Sequence, residues 1–253
     1  MVGDQLSFQI LEQALGNRPL RYFESIGSTN DVAQKWALEG TAAGSVVVAN
    51  EQRAGRGRMG RGWQTPPQQA LAMSVILRPT IDPAHLQRVT VLGGLAVAEA
   101  LRAYINPVLK WPNDVLIGTR KVCGILAEAL WQGETLKGVV LGVGINIRVQ
   151  FAGTPLESIA TSLEDHTAQP VLRVKLITQV LERIDYWMSR IHDPLLVATW
   201  REWLVTIGQH VHIHTQQGVI EGTAYDVDSA GALLVVDAQG HKHRITVGDV
   251  RVG

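Results

Sequence analysis

Among 253 residues there is a single cysteine, Cys123, so no internal disulfide can form and a reducing compartment is the expectation. Net charge is missing as well: 23 Lys and Arg balance 23 Asp and Glu. Such a surface neither attracts nucleic acid nor favours acidic membranes as a whole, so any basic site must be local. Long apolar runs are absent. The longest largely apolar stretch, residues 89–101, is too short to cross a bilayer. Residues 1–10 have neither the basic start nor the apolar run of a signal peptide, which makes the cytoplasm the expected location. No internal repeat or low-complexity tract is present. The eight histidines show no H-E-x-x-H and no Cys/His ligand spacing, and His210, His212 and His214 alternate as in a strand; no metal site is expected.

What is present suits a globular protein with a real core, 46% hydrophobic and 18% charged. Apolar spacing predicts helices over residues 6–15, 86–104, 172–191 and 194–204, and a further one ending at Gly40. That last helix follows Ser28-Thr29-Asn30-Asp31, a run of capping types with an acid in the first turn. Strands are predicted at 22–26, 45–50, 70–77, 108–111, 115–117, 124–130 and 138–147. Together these define an α+β domain over residues 1–206, a central sheet covered by helices on one side. After Ile207 the texture changes to period-two alternation over 211–214, 218–226, 232–237 and 242–247. This predicts a small all-β module, residues 207–253, that leans on its neighbour.

Residues 51–67 carry no apolar period and read as a loop. Within it Arg53, Arg56, Arg58 and Arg61 are interleaved with Gly55, Gly57, Gly60 and Gly62. Glycines let backbone N–H groups approach a ligand, and arginine forks match phosphate and carboxylate oxygens, so the pattern suits an anionic ligand. Gly55-x-Gly57-x-x-Gly60 satisfies the dinucleotide fingerprint, but that fingerprint must open a helix. Here the chain runs into Gly62, Trp63, Thr65, Pro66 and Pro67, which start none. A nucleic-acid tether and a solvated loop remain, and composition alone favours the solvated loop.

A second motif changes that balance. Lys110-Trp111-Pro112-Asn113-Asp114 is followed by Lys121-Val122-Cys123-Gly124-Ile125-Leu126. With Ser28-Thr29-Asn30 and the Gly/Arg loop upstream, and Gly142-Val143-Gly144-Ile145-Asn146 downstream, the ordered set resembles the biotin protein ligase family. The resemblance runs from Tyr22 onward, and it is to the bacterial type without an N-terminal DNA-binding domain. It implies a central mixed sheet of the class II synthetase and lipoate ligase type, followed by a small SH3-like β-barrel. It also implies ATP and biotin as substrates with Mg²⁺, and biotinyl-5'-AMP as the intermediate. The acceptor would be a lysine of a biotin carboxyl carrier protein, an acetyl-CoA carboxylase subunit. DNA binding is not expected, and a homodimer is compatible.

Residue by residue, the resemblance assigns Ser28, Thr29 and Asn30 to polar contacts with biotin and Gln52 to its ring system. Gly55, Arg56 and Gly57 fall in the loop that closes on biotin and adenylate. Arg58 holds the activated intermediate, and Lys110 contacts the biotin carboxylate and the α-phosphate; these two carry the catalytic assignment. Gly124, Gly142 and Gly144 let strand backbone approach biotin. Arg56, Arg58, Trp63, Asn113, Lys121 and Asn146 are assigned to the nucleotide, with Trp63 near adenine and Asp114 as a neighbour. Cys123 is read as a buried structural thiol rather than a nucleophile. Lipoate and octanoate ligases share the fold but lack Lys-Trp-Pro-Asn-Asp.

Overall fold

Val46, Val47 and Val48 are consecutive and all fully buried, which demands cover on both faces of the strand that holds them. In the computed structural model, which describes residues 4–215 and 218–252, that strand is β2 (Val46–Gln52). Residues 1–3, 216, 217 and 253 fall within the expected domain bounds but lie outside the described residues. β2 pairs in parallel with β1 (Leu20–Ile26) and antiparallel with β3 (Ala70–Leu77). β4 (Val108–Lys110), β5 (Asp114–Ile117), β6 (Arg120–Gln132) and β7 (Thr135–Asn146) complete a seven-stranded mixed sheet of order β1-β2-β3-β7-β6-β5-β4.

Strand alternation sorts the side chains. Val46 and Val48 join Leu71, Met73, Val75, Leu141 and Val143 in the main core. Over them lie α1 (Phe8–Leu15), α3 (Gln87–Leu101), α4 (Arg173–Met188) and α5 (Pro194–Glu202). Gly93 of α3 touches the sheet so closely that a Cβ there would meet Leu141 and Ile125. Val47 points the other way, with Ile76, Leu130 and Val140, against Ala33 and Ala37 of α2 (Thr29–Leu38). The expected one-sided cover is therefore corrected: α2 packs on the opposite face. Its stripe of Val32, Ala33, Trp36 and Ala37 marks it as amphipathic but carries no information about which side of the sheet it covers.

The C-terminal strands are β8 (His210–Thr215), β9 (Gly218–Val227), β10 (Leu233–Val236), β11 (Lys242–Ile245) and β12 (Asp249–Val252). They form an antiparallel sheet of order β11-β10-β9-β8-β12. The sequence reading does not predict β12. Val211, Ile213, Ala224, Leu233, Val235 and Ile245 bury the inner face in the main core. Polar ties fix the module to the larger sheet's helices and loops. Trp111 Nε1 donates to Gly231 O at 3.0 Å, Gln87 Nε2 to the same oxygen at 2.7 Å, and Arg88 Nε to Ser229 O at 2.9 Å. Trp111, 1% exposed, is thus a joint between the two parts.

Candidate active site

The site occupies the α2 face. Two cross-strand rows form its floor: Ala72, Gly144 and Gly124, and beside them Ser74, Gly142 and Leu126. The three glycines leave a trough that other side chains enter. A Cβ on Gly142 would overlap the Asn30 amide, and one on Gly144 would overlap the Trp63 indole. Above this floor lies a cleft of about 1170 Å³, and all sixteen residues assigned from the resemblance line it. Cys123 and Ile125 flank Gly124 in sequence but face the main core. Burial pushes the Cys123 thiol well above its ordinary range, which leaves it protonated and inert.

One wall is a hydrogen-bonded polar network. Ser28 holds the N-cap position of α2, but its side chain makes no capping bond. The expected Ser28 cap is corrected: Gln52, at the end of β2, supplies the acceptor. Its Oε1 accepts from Thr29 N at 2.8 Å and from Thr29 Oγ1 at 3.0 Å, while Nε2 donates to Thr65 Oγ1 at 3.1 Å. Ser74 Oγ lies 2.8 Å from Thr29 Oγ1 and 2.5 Å from Asn30 Oδ1. Asn30 Nδ2 donates to Glu128 Oε2 at 2.5 Å. Ser28, Thr29, Asn30 and Ser74 are all buried, so this wall is rigid and its donors and acceptors are aligned.

The Gly/Arg loop folds back on itself as a lid. Trp63 N donates to Gly55 O at 2.8 Å and Gly57 N to Arg61 O at 2.7 Å, with Met59 and Gly60 at positive φ of 55° and 73° at the tip. The loop is therefore more ordered than its sequence implies. Arg56 is bound by two carboxylates, Asp31 and Glu128, the latter at 3.3 Å. The hydrogen bond to Asp31 is the main reason its guanidinium holds its proton more tightly. Arg58 is desolvated, which lowers its proton affinity, and its Nη1 donates to the neutral Asn113 Oδ1 at 3.2 Å. Guanidinium stays charged in proteins, so this is a sheltered cation that feels Asp114 and Asp249 from a distance but makes no direct ion pair among the described residues. Arg61 reaches across to Asp249 of β12, 3.0 Å from Oδ1 and 3.4 Å from Oδ2. Trp63 Nε1 is buried and has no hydrogen-bond partner among the described residues.

The second motif forms the opposite wall. Lys110, half-buried at the end of β4, has no ion pair or hydrogen bond among the described residues. Asn113 Nδ2 donates to Ile125 O at 2.8 Å, which fixes the amide that receives Arg58. Lys121 Nζ stands 2.5 Å from Asp114 Oδ1 and 5.4 Å from the Trp63 ring centroid. The Lys121 ammonium is the counter-charge of this buried Asp114 oxygen. Asn146 lines the cleft, yet its Nδ2 donates to Thr161 O at 3.2 Å, a strut as much as a contact.

Sequence reasoning missed Asp31, Thr65, Ser74, Glu128 and Asp249. Only Glu128 carries a local signal, a carboxylate on the otherwise apolar run 122–130. The rest act through partners distant in sequence.

The chain belongs to the biotin/lipoate A/B protein ligase family. The model of that family matches residues 22–146, and that of the biotin protein ligase C-terminal domain matches residues 206–253. A biotin–[acetyl-CoA-carboxylase] ligase of Mycobacterium tuberculosis is 34% identical over 254 residues, 96% of this chain and 92% of the relative. The bifunctional ligase/repressor BirA of Bacillus subtilis is 32% identical, covering 98% of this chain and 78% of its own. In three dimensions the chain is similar to the biotin protein ligase of Aquifex aeolicus in complex with biotin and ATP. That similarity has a TM-score of 0.80 at 28% identity and covers 93% of this chain and 98% of the other.

Proposed function

We propose that this chain activates biotin with ATP as biotinyl-5'-AMP and transfers the biotinyl group to a lysine of a biotin carboxyl carrier protein. The observation that carries the reading is one cleft with two different ends. At one end stands the aligned amide and hydroxyl wall of Thr29, Asn30, Gln52 and Ser74. At the other stand the unpaired Lys110 and the sheltered Arg58. A ligand with a polar, uncharged head and an anionic tail fits that polarity, and biotin has both.

In the first step a carboxylate oxygen of biotin attacks the α-phosphorus of ATP, the bond to the β-phosphate oxygen breaks, and pyrophosphate leaves. Both reacting groups are anionic. Lys110 and Arg58 offset their repulsion and stabilise the charge that builds in the transition state. Arg56, tied to Asp31 and Glu128, anchors the lid over the biotin end. The closed lid keeps water from the mixed anhydride. In the second step the acceptor amine attacks the acyl carbon, AMP leaves, and the ammonium formed loses its proton. A Mg²⁺ ion bound with the nucleotide would neutralise phosphate charge, and the Asp114 carboxylate, which lines the cleft paired with Lys121, would offer it a hard oxygen donor.

The remaining roles belong to the same proposal: Gly55, Gly57, Gly124, Gly142 and Gly144 for close backbone approach, and Trp63, Lys121 and Asn146 at the nucleotide. So do a catalytic part over residues 1–206, an SH3-like part over 207–253, a cytoplasmic location and an acceptor on acetyl-CoA carboxylase. No DNA-binding role is assigned to the described residues, and a homodimer is compatible. None of the helices among the described residues is long and apolar enough to cross a membrane. The test is ATP–pyrophosphate exchange with biotin, lipoate and octanoate compared. Exchange driven by biotin alone is expected; exchange driven by lipoate or octanoate instead would keep the family and overturn the substrate.

A further inference from the structure

Away from the cleft, three side chains converge on the outer face of the C-terminal sheet. His210 and His212 alternate along β8 and point outward, while Val211 between them is fully buried. Glu221 of β9 is the register partner of His212. Its carboxylate oxygens lie 3.6 Å from His210 Nε2 and 3.6 Å from His212 Nδ1, and the three donor atoms all fall within 4.8 Å of one another. Two donors each about 2.1 Å from a tetrahedral metal ion stand about 3.4 Å apart, so the separations to Glu221 are already near that value. The two imidazoles meet edge-on, with centroids 5.3 Å apart, and so do not stack over each other's nitrogens.

We propose that His210, His212 and Glu221 form a site for a zinc-type divalent transition metal, with solvent completing the coordination. Two imidazoles select such an ion over Mg²⁺, which demands oxygen donors and octahedral geometry, so the ion that travels with ATP does not compete here. The residues are open to entry, their side chains being between 40% and 60% exposed. Coordination rigidifies only side chains, because both strands are already fixed by the ladder between them. Arg251 of β12, the register partner of His212 on its other side, is a neighbouring cation that moderates the affinity. Sequence spacing alone shows the two histidines but not the site, since the third donor comes from the neighbouring strand.

The test is calorimetric titration of zinc chloride into the full chain, free of any histidine tag and of ATP. It is repeated with His210→Ala/His212→Ala and with Glu221→Gln, and cobalt absorption serves as a second readout of coordination. One zinc per chain is expected for the native protein. Removal of an outer-shell partner already weakens metal binding about 10- to 100-fold, so loss of a ligand should weaken it at least about tenfold in each variant. Glu221→Gln keeps size and polarity at an exposed position, so it reports on the site even where the double variant folds poorly. Absence of zinc uptake by the native chain, or unchanged affinity in both variants, overturns the proposal. Biotin-dependent pyrophosphate exchange is expected to be the same in all three proteins.

Discussion

Replacing Asp249 with Asn tests whether the C-terminal sheet holds the Gly/Arg lid closed. Arg61 meets Asp249 at two points, but the side chains are 60% and 32% exposed, so solvent screens the pair. An exposed ion pair of good geometry is worth at most about 1 kcal/mol. Losing ~1 kcal/mol from the closed state shifts the closed-to-open ratio by about fivefold. Asn keeps the size of the side chain and removes the charge. Escape of biotinyl-AMP, followed without acceptor at low ionic strength, should therefore rise by up to about fivefold. The melting temperature should fall by no more than about 2–4 °C, the shift that ~1 kcal/mol produces in a chain of this size. Raising salt to about 0.5 M shortens the screening length to a few Å and should erase the difference between variant and native protein. Arg61→Gln should show the same rise, and the double variant no more than either single one. Unchanged escape at low salt, or additive effects in the double variant, refutes the latch.

Lys110→Ala removes a cation that has no partner among the described residues. Adenylate formation should fall by about 10²- to 10³-fold, the usual effect of losing one transition-state stabiliser, with thermal stability retained. A loss of stability in step with activity would assign Lys110 to the fold instead. Gly144→Ala places a methyl group where the Trp63 indole lies, an overpacking that costs about 1–3 kcal/mol. A lower melting temperature and a higher KM for ATP are expected together; native values for both would move Trp63 off Gly144. Arg148 and the Val171 N–H hold the Glu164 carboxyl below its ordinary range. A depressed carboxyl contributes stability that is complete above the unfolded-state pKa and is lost as pH falls through the folded one. Glu164→Gln should therefore be less stable at neutral pH and converge with the native chain in acid; a constant gap across pH would contradict this.

The loop, the Lys-Trp-Pro-Asn-Asp turn and the glycines of β7 could be read in the sequence because each is local. A glycine excludes a Cβ wherever it stands, and an arginine run in a neutral chain stands out from its surroundings. The side of the sheet on which α2 packs could not be read, because Ala33 and Ala37 fit either face. Nor could the capping of α2 by Gln52, which lies 23 residues away from Thr29. Ser74 and Glu128 meet only through Asn30, and Asp249 meets Arg61 only once β12 has closed against β8. In each case the deciding contact is set by strand register, which a linear pattern does not record. Asn113 was assigned to the nucleotide, yet its amide already bridges Arg58 and the Ile125 carbonyl. Position in a motif locates a residue without revealing how many partners it already has.

The division of the sheet into two unlike faces governs how such a chain can drift. Cys123 and Ile125 anchor one side while Gly124 between them faces the cleft, and Leu141 and Val143 do the same around Gly142 and Gly144. A substitution on an inward position is therefore felt by the whole molecule. One on a cleft position, away from the glycines, is felt mainly by the ligand. Loss of catalysis and loss of folding become separable events, and a screen that scores only heat resistance or expression would pass a chain inactivated at Lys110. The same separation lets the choice of acid evolve on a platform whose melting point stays constant.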